Sequence, residues 1–252
     1  MEKTTLRPYI FEILKKTPQT HFHAIENDLR KLVESYERHD VLTLQEILWE
    51  LLVQGVLAPG KNSLNLNLPF VHLTEYGSQC LDDGRILVHD PDGYIKRLME
   101  TTSGVIDDFV LHCVREALTV FLSGSWSSTV ILLARAAEHL FDQLADALIR
   151  TDQSDGHATH QIEESPRSSR LRAEAVIQSL QHRSLPSKLA ESLEPLLNGL
   201  LTLIQLSRNK DGSPRDSQSS RNQVLGFFLL LPEQCAFVYH LMKALEGEAT
   251  SS

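Results

Sequence analysis

The sequence predicts a mainly α protein built in two parts, and three observations carry that prediction. Apolar residues recur every three to four positions along most of the chain, the period of an amphipathic helix. One short region, Leu64, Leu66 and Leu68 with Asn65 and Asn67 between them, alternates instead at the period of a strand. The 252 residues are 42% hydrophobic and 23% charged, with only 10 Pro and 12 Gly. That excludes a wholly disordered, collagen-like or linker-dominated chain and leaves room for two cores. Lys and Arg number 24 against 33 Asp and Glu, a formal charge of −9. This balance gives no general attraction to phosphate backbones, so nucleic-acid contact would need a local basic patch or positive helix ends.

The first helix is expected over Leu6–Lys16, where Leu6, Tyr9, Ile10, Ile13 and Leu14 share a face and Thr17-Pro18 ends the run. A second run holds Ile25, Leu29, Leu32, Val33 and Tyr36. A third is expected to start at Thr43 with Glu46 completing a capping box, to turn Leu44, Ile47, Leu48, Leu51 and Leu52 to the core, and to stop at Gly55. Trp49 is expected to join that core. Pro59-Gly60-Lys61-Asn62 is turn chemistry, after which the Leu/Asn alternation and Phe70–Leu73 read as strands. Asp82–Gly93 reads as loop, and a linker is expected over residues 84–100. Candidate helices then span Val105–Leu122, Thr129–Ile149, Leu171–His182, Leu185–Leu206 and Asn222–Leu245, with Pro232 expected to kink or restart the last. Residues 151–169, rich in Ser, Asp, His and Pro, are expected to form a flexible insertion. The uncharged apolar run Val224–Leu231 is too short to span a bilayer, so no membrane association is expected. Cys80, Cys113 and Cys235, odd in number and set among apolar residues, are expected to be buried thiols of a reducing cytoplasm.

Helices followed by a two-stranded ribbon are the order of a winged helix-turn-helix. The stretch Gln45-Glu46-Ile47-Leu48-Trp49-Glu50-Leu51-Leu52-Val53-Gln54-Gly55-Val56-Leu57, then Pro59-Gly60, then Leu73-Thr74-Glu75-Tyr76-Gly77, resembles winged-helix domains. The resemblance implies three helices and a small β ribbon over residues 1–83. Its recognition helix, Thr43–Gln54, holds Gln45, Glu46, Glu50 and Gln54 but no Lys or Arg, so a DNA groove would repel it. Protein contact is therefore favoured over sequence-specific DNA binding. The candidate backbone or partner contacts are Arg30, Lys31, Lys61, Asn62 and Asn65. Glu46 and Glu50 read as a solvated helix face rather than a catalytic carboxylate pair.

Leucine fills nearly every second position of Leu193–Leu206, the mark of a helix enclosed by a bundle. Leu197, Leu201, Ile204 and Arg208 fall on one stripe, so a guanidinium projects from the core side of that helix. Such a charge needs a partner or a ligand. The expected partner is Glu138, which flanks the apolar stripe Val130, Leu133, Ala134, Ala137, Phe141 and Leu144 of an earlier helix. The pair reads either as a device fixing helix register or as part of a site.

The helix Val130-Ile131-Leu132-Leu133-Ala134-Arg135-Ala136-Ala137-Glu138, with a later one ending Ser207-Arg208-Asn209-Lys210-Asp211-Gly212-Ser213-Pro214, resembles HEPN domains, the helical bundles named for higher eukaryotes and prokaryotes nucleotide-binding. The resemblance spans residues 101–252. The family's signature is an Arg, four to six residues of which the first is usually polar, and then a His. Arg208 and Asn209 match it, while Ser213 stands where the His belongs. HEPN ribonucleases are metal-independent, and paired motifs across a dimer promote attack of a ribose 2′-hydroxyl on the neighbouring phosphate. That chemistry needs a group exchanging protons near neutral pH, which a serine without its own base does not supply. Arg208 can still hold a phosphate or oxyanion.

The resemblance thus implies that the catalytic positions Arg208, Asn209 and Ser213 bind rather than cleave, unless a displaced His, for which His182, His157 and His160 are the candidates, takes the place of the missing one. It further implies a cytoplasmic homodimer acting as an accessory or regulatory subunit of prokaryotic anti-phage or anti-plasmid defence. Such a subunit contacts a protein partner in a multi-subunit assembly, RNA or a nucleotide, and needs no cofactor. The alternatives are a metal-independent endoribonuclease toxin and a winged-helix transcriptional regulator. His157 with His160, and His21 with His23, have ligand-like spacing but no Cys or arranged carboxylates nearby, so no metal site is expected. No Gly-rich phosphate loop, nucleophile elbow or dinucleotide fingerprint is present.

Overall fold

A computed structural model describes residues 1–82, 88–151, 156–167, 169–183, 185–208 and 219–249. The chain divides into two units, Met1–Tyr94 and Ile95–Ser252, and is mainly helical as expected. In the first unit α1 (Lys3–Lys16), α2 (Phe22–Leu32), α3 (Asp40–Val53) and α4 (Glu75–Asp82) accompany a small antiparallel sheet. Its strands β1 (Gln19–His21), β2 (Leu57–Pro59) and β3 (Phe70–Leu73) run in the order β1-β3-β2, with Thr20 opposite Val71 and Ala58 opposite His72. Leu6, Ile10 and Leu14 of α1, Ile25 and Leu29 of α2, and Leu44, Ile47, Leu48 and Leu51 of α3 build one core. The helical spacing of these residues is what lets three helices share it.

Gly55 ends α3 as expected. At φ +72° it donates its N–H to Leu52 O at 3.1 Å while Val56 donates to Leu51 O at 2.9 Å, a Schellman motif. Gly77 in α4 lies so close to the segment joining α3 to β2 that a Cβ there would stand 2.2 Å from the Val56 oxygen, so only glycine fits without moving backbone.

Several expectations in this unit are corrected. Helix α3 begins at Asp40, a turn before Thr43, because the Asp40 carboxylate accepts the Glu37 N–H at 2.7 Å and steadies the entry that the capping box was to supply. The Leu/Asn alternation is not a strand. Asn62 Oδ1 accepts the N–H groups of both Leu64 and Asn65 at 3.0 Å, folding the segment into a turn, and Leu64 is left 91% exposed. Of the two expected strands only Phe70–Leu73 forms, and its partners are Gln19–His21 and Leu57–Pro59, which makes a three-stranded sheet in place of a two-stranded ribbon. Trp49 is 61% exposed, not in the core, since positions 42, 46, 49 and 53 of α3 face away from Leu44, Leu48 and Leu51. The expected linker over residues 84–100 contains most of α5 (Pro91–Thr101), which Pro91 opens and in which Tyr94, Ile95 and Leu98 are buried at helical spacing.

The second unit holds the last turns of α5 with α6 (Asp108–Leu122), α7 (Trp126–Thr151), α8 (Gly156–Glu164), α9 (Arg170–Gln181), α10 (Ser187–Ser207) and α11 (Arg221–Ala249). Helix α7 is central and packs against α6, α9, α10 and α11. Its buried apolar residues run Val130, Leu133, Ala134, Ala137, Leu140, Phe141, Leu144 and Leu148 along five turns, with the charged Glu138 and Asp142 buried among them. Helix α11 passes through Pro232 without a break, correcting the expected restart. It is long and apolar enough to cross a bilayer by length and composition, with a mean hydropathy of 1.5, but 61% of that stretch is buried. Cys80, Cys113 and Cys235 are buried, and burial pushes the Cys235 thiol up to about 12, keeping it neutral. The expected insertion at 151–169 carries α8, whose Ile162 is fully buried.

Candidate functional site

Helices α7 and α10 bring together the two side chains that the sequence pattern paired. Glu138 lies on the buried face of α7, 3% exposed. Arg208 is the C-cap residue of α10, in extended conformation at φ −133° and ψ 147°, with its N–H on Ile204 O at 3.1 Å. Leaving the helix there swings the side chain back toward α7. Arg208 Nε donates to Glu138 Oε1 at 2.5 Å and Nη2 donates to Oε2 at 3.0 Å, a bidentate fork. The Glu138 carboxylate holds the guanidinium above its ordinary pKa against the opposing effect of burial.

Around the pair is a small cavity of about 90 Å³ lined by Ile131, Ala134, Arg135, Glu138, Ser207 and Arg208. It has room for about three waters, or one compact anion. Two guanidinium groups against one carboxylate leave a net positive charge. Arg135 is exposed and also stands 5.5 Å over the Phe109 ring, while Ser207 Oγ is committed to Ile204 O at 2.9 Å. The described lining contains no imidazole. His182 is exposed at the end of α9 with Nδ1 2.7 Å from Gln178 O, and His160 pairs with Glu164 at 3.4 Å within α8. Asn209, Ser213 and the side chain of His157 lie outside the described residues.

In the first unit the candidate contacts are mostly engaged locally. Arg30 pairs with Glu26 at 2.7 Å, and Lys31 with Asp28 at 2.7 Å, both along α2. Asn62 and Asn65 bond to each other within their turn, and the Lys61 N–H donates to Asn65 O at 2.7 Å. Glu46 and Glu50 are not a plain solvated face. Lys3 Nζ reaches both at 2.7 Å and Arg7, buried on α1, pairs with Glu50, so α1 neutralises the acid of α3. Sequence reasoning missed this network, although Arg7 beside Leu6 on an apolar helix face was its signal. It also missed His89, fully buried, with Nδ1 2.7 Å from Gln54 Oε1 and Nε2 2.8 Å from the Tyr76 hydroxyl. His21 Nδ1 accepts the Ala24 N–H as a helix cap. Among the described residues no three His, Cys, Asp or Glu side chains converge as metal ligands.

Comparison with models of protein families, with curated proteins and with solved structures finds no match to this chain.

Proposed function

We propose that this chain is an accessory or regulatory subunit of a prokaryotic defence system, in which a HEPN-like bundle works as a homodimer behind a winged-helix domain. The bundle contacts RNA, a nucleotide or an acidic group of a protein partner at Arg208 and cleaves little or nothing itself. The observation that carries this reading is the fork between Arg208 and Glu138. It fixes a guanidinium beside a second one, Arg135, at a small cavity whose described lining has no group to move a proton near neutral pH. That is the chemistry of anion binding without acid–base turnover. For the first unit, Leu42, Trp49 and Val53 stand exposed along one face of α3, 61–70% each. An apolar face beside neutralised acid favours a protein partner over a phosphate backbone.

Labelled RNA incubated with the protein in EDTA is expected to bind without being cut. Arg135→Ala and Arg208→Lys are each expected to weaken binding about tenfold, the first by removing a charge, the second by removing the fork. Cleavage in EDTA that Arg208→Lys abolishes would replace this reading with the endoribonuclease. Salt-dependent DNA binding lost on Lys61→Ala would replace it with the regulator. Light scattering at micromolar concentration is expected to give a dimer; a monomer there excludes the homodimer.

A further inference from the structure

A second, larger concavity of about 600 Å³ lies within the second unit, between α7, α11 and the turn that follows α5. It shares no lining residue with the cavity at Arg208. Its size suits a small organic molecule. Part of its wall is apolar: Val105, Ala236, Met242 and the ring of Tyr239.

Two polar features of the lining lack an internal counterpart. Gln143 Oε1 is buried with no hydrogen-bond partner among the described residues. Buried acceptors are almost always satisfied, so this oxygen calls for a donor from outside the fold. The charges are also unevenly spent. Asp146 is held by Arg167 and Arg172 at 3.1 Å, and Glu246 pairs with Arg150 at 3.1 Å. Lys243, exposed at the rim beside His240, has no ion-pair partner among the described residues. The turn below the cavity places Ser103 at φ +53°, a left-handed conformation that a non-glycine residue adopts only where its surroundings hold it.

We infer that this cavity binds a small amphipathic organic anion that carries an N–H donor, its anionic group on Lys243, its apolar body against Met242 and Val105, and its N–H on Gln143 Oε1. A carboxylate offset from a flat apolar ring with one N–H meets that description. Indole-3-acetate therefore serves as the probe, and benzofuran-3-acetate, of the same shape with oxygen in place of N–H, as its control.

Calorimetric titration of the full chain is expected to give saturable one-to-one binding of indole-3-acetate and about tenfold weaker binding of benzofuran-3-acetate. In Gln143→Leu the two probes are expected to bind alike. Lys243→Ala, on an exposed side chain, weakens both about five- to tenfold, whereas Arg208→Lys changes neither. The last variant separates this site from the one proposed above. The inference is overturned by no saturable binding of indole-3-acetate up to about 5 mM, by an undiminished N–H preference in Gln143→Leu, or by equal binding in Lys243→Ala. If Gln143→Leu does not fold, the lysine variant and the probe pair decide.

Discussion

Replacing Arg208 by methionine is expected to lower the free energy of unfolding by about 2–4 kcal/mol at neutral pH, and replacing Glu138 by glutamine by only about 1–2 kcal/mol. The asymmetry follows from burial. The Glu138 side chain is 3% exposed and that of Arg208 35%. Removing the arginine strands a carboxylate inside the bundle, where an uncompensated charge is expensive. Removing the carboxylate leaves a guanidinium that reaches water. The loss stays below that of a wholly enclosed pair because a third of the arginine is already solvated. Methionine keeps the bulk of the stem, so packing changes little. In the double variant Arg208→Met, Glu138→Gln the loss should fall well short of the sum of the two single losses, giving a coupling energy above about 1.5 kcal/mol in urea unfolding. Two small, additive single effects would reduce the pair to an ordinary surface contact.

The second large effect is expected at Arg172. Its side chain is 5% exposed and makes three contacts on two other helices. Nε lies 3.0 Å from Asp142 Oδ1, Nη2 3.1 Å from Asp146 Oδ1, and Nη1 donates to the Ile162 carbonyl at 2.7 Å. One guanidinium thus joins α7, α8 and α9. Arg172→Met removes the buried cation that stands 3.0 Å from the buried Asp142, and a cost of about 3–5 kcal/mol is expected. Arg167→Ala removes the other cation on Asp146, but that side chain is 69% exposed, so the cost should stay within about 0.5 kcal/mol. Hydrogen exchange sharpens the test: Arg172→Met should free the amides of α8 before those of the α7 core, since α8 rests on that carbonyl bond and on Ile162. Uniform acceleration of all helices would show instead that Arg172 acts only on global stability.

Arg172 and Arg208 also mark where the sequence was readable and where it was not. Arg208 could be paired with Glu138 from sequence because both sit on long helices, where 3.6-residue periodicity states which face a residue occupies and a charge on an apolar stripe stands out. Arg172, Asp142 and Asp146 carry the same kind of signal for the 151–169 segment, but its Ser, Asp, His and Pro content reads as loop and masks it. Leu64, Leu66 and Leu68 misled for the opposite reason. Alternation signals a strand only if one face is buried, and an Asn turn settled the backbone first. Trp49 reads as core from its neighbours Leu48 and Leu52 on the same helix, yet its position on α3 places it opposite Leu44, Leu48 and Leu51. The cavity at Gln143 and Lys243 left no sequence trace, because it exists only where α7, α11 and the turn after α5 meet.

The outward indole on α3 has an optical consequence. The chain has two tryptophans, and the other, Trp126, lies against Phe121 at 5.3 Å and beneath Arg221 at 5.6 Å. In a Trp126→Phe variant the remaining emission comes from a ring in water, red-shifted and open to acrylamide. Anything that covers that face of the first unit moves the emission to the blue and shields it from the quencher. The unmodified side chain therefore serves as a label-free gauge of occupancy.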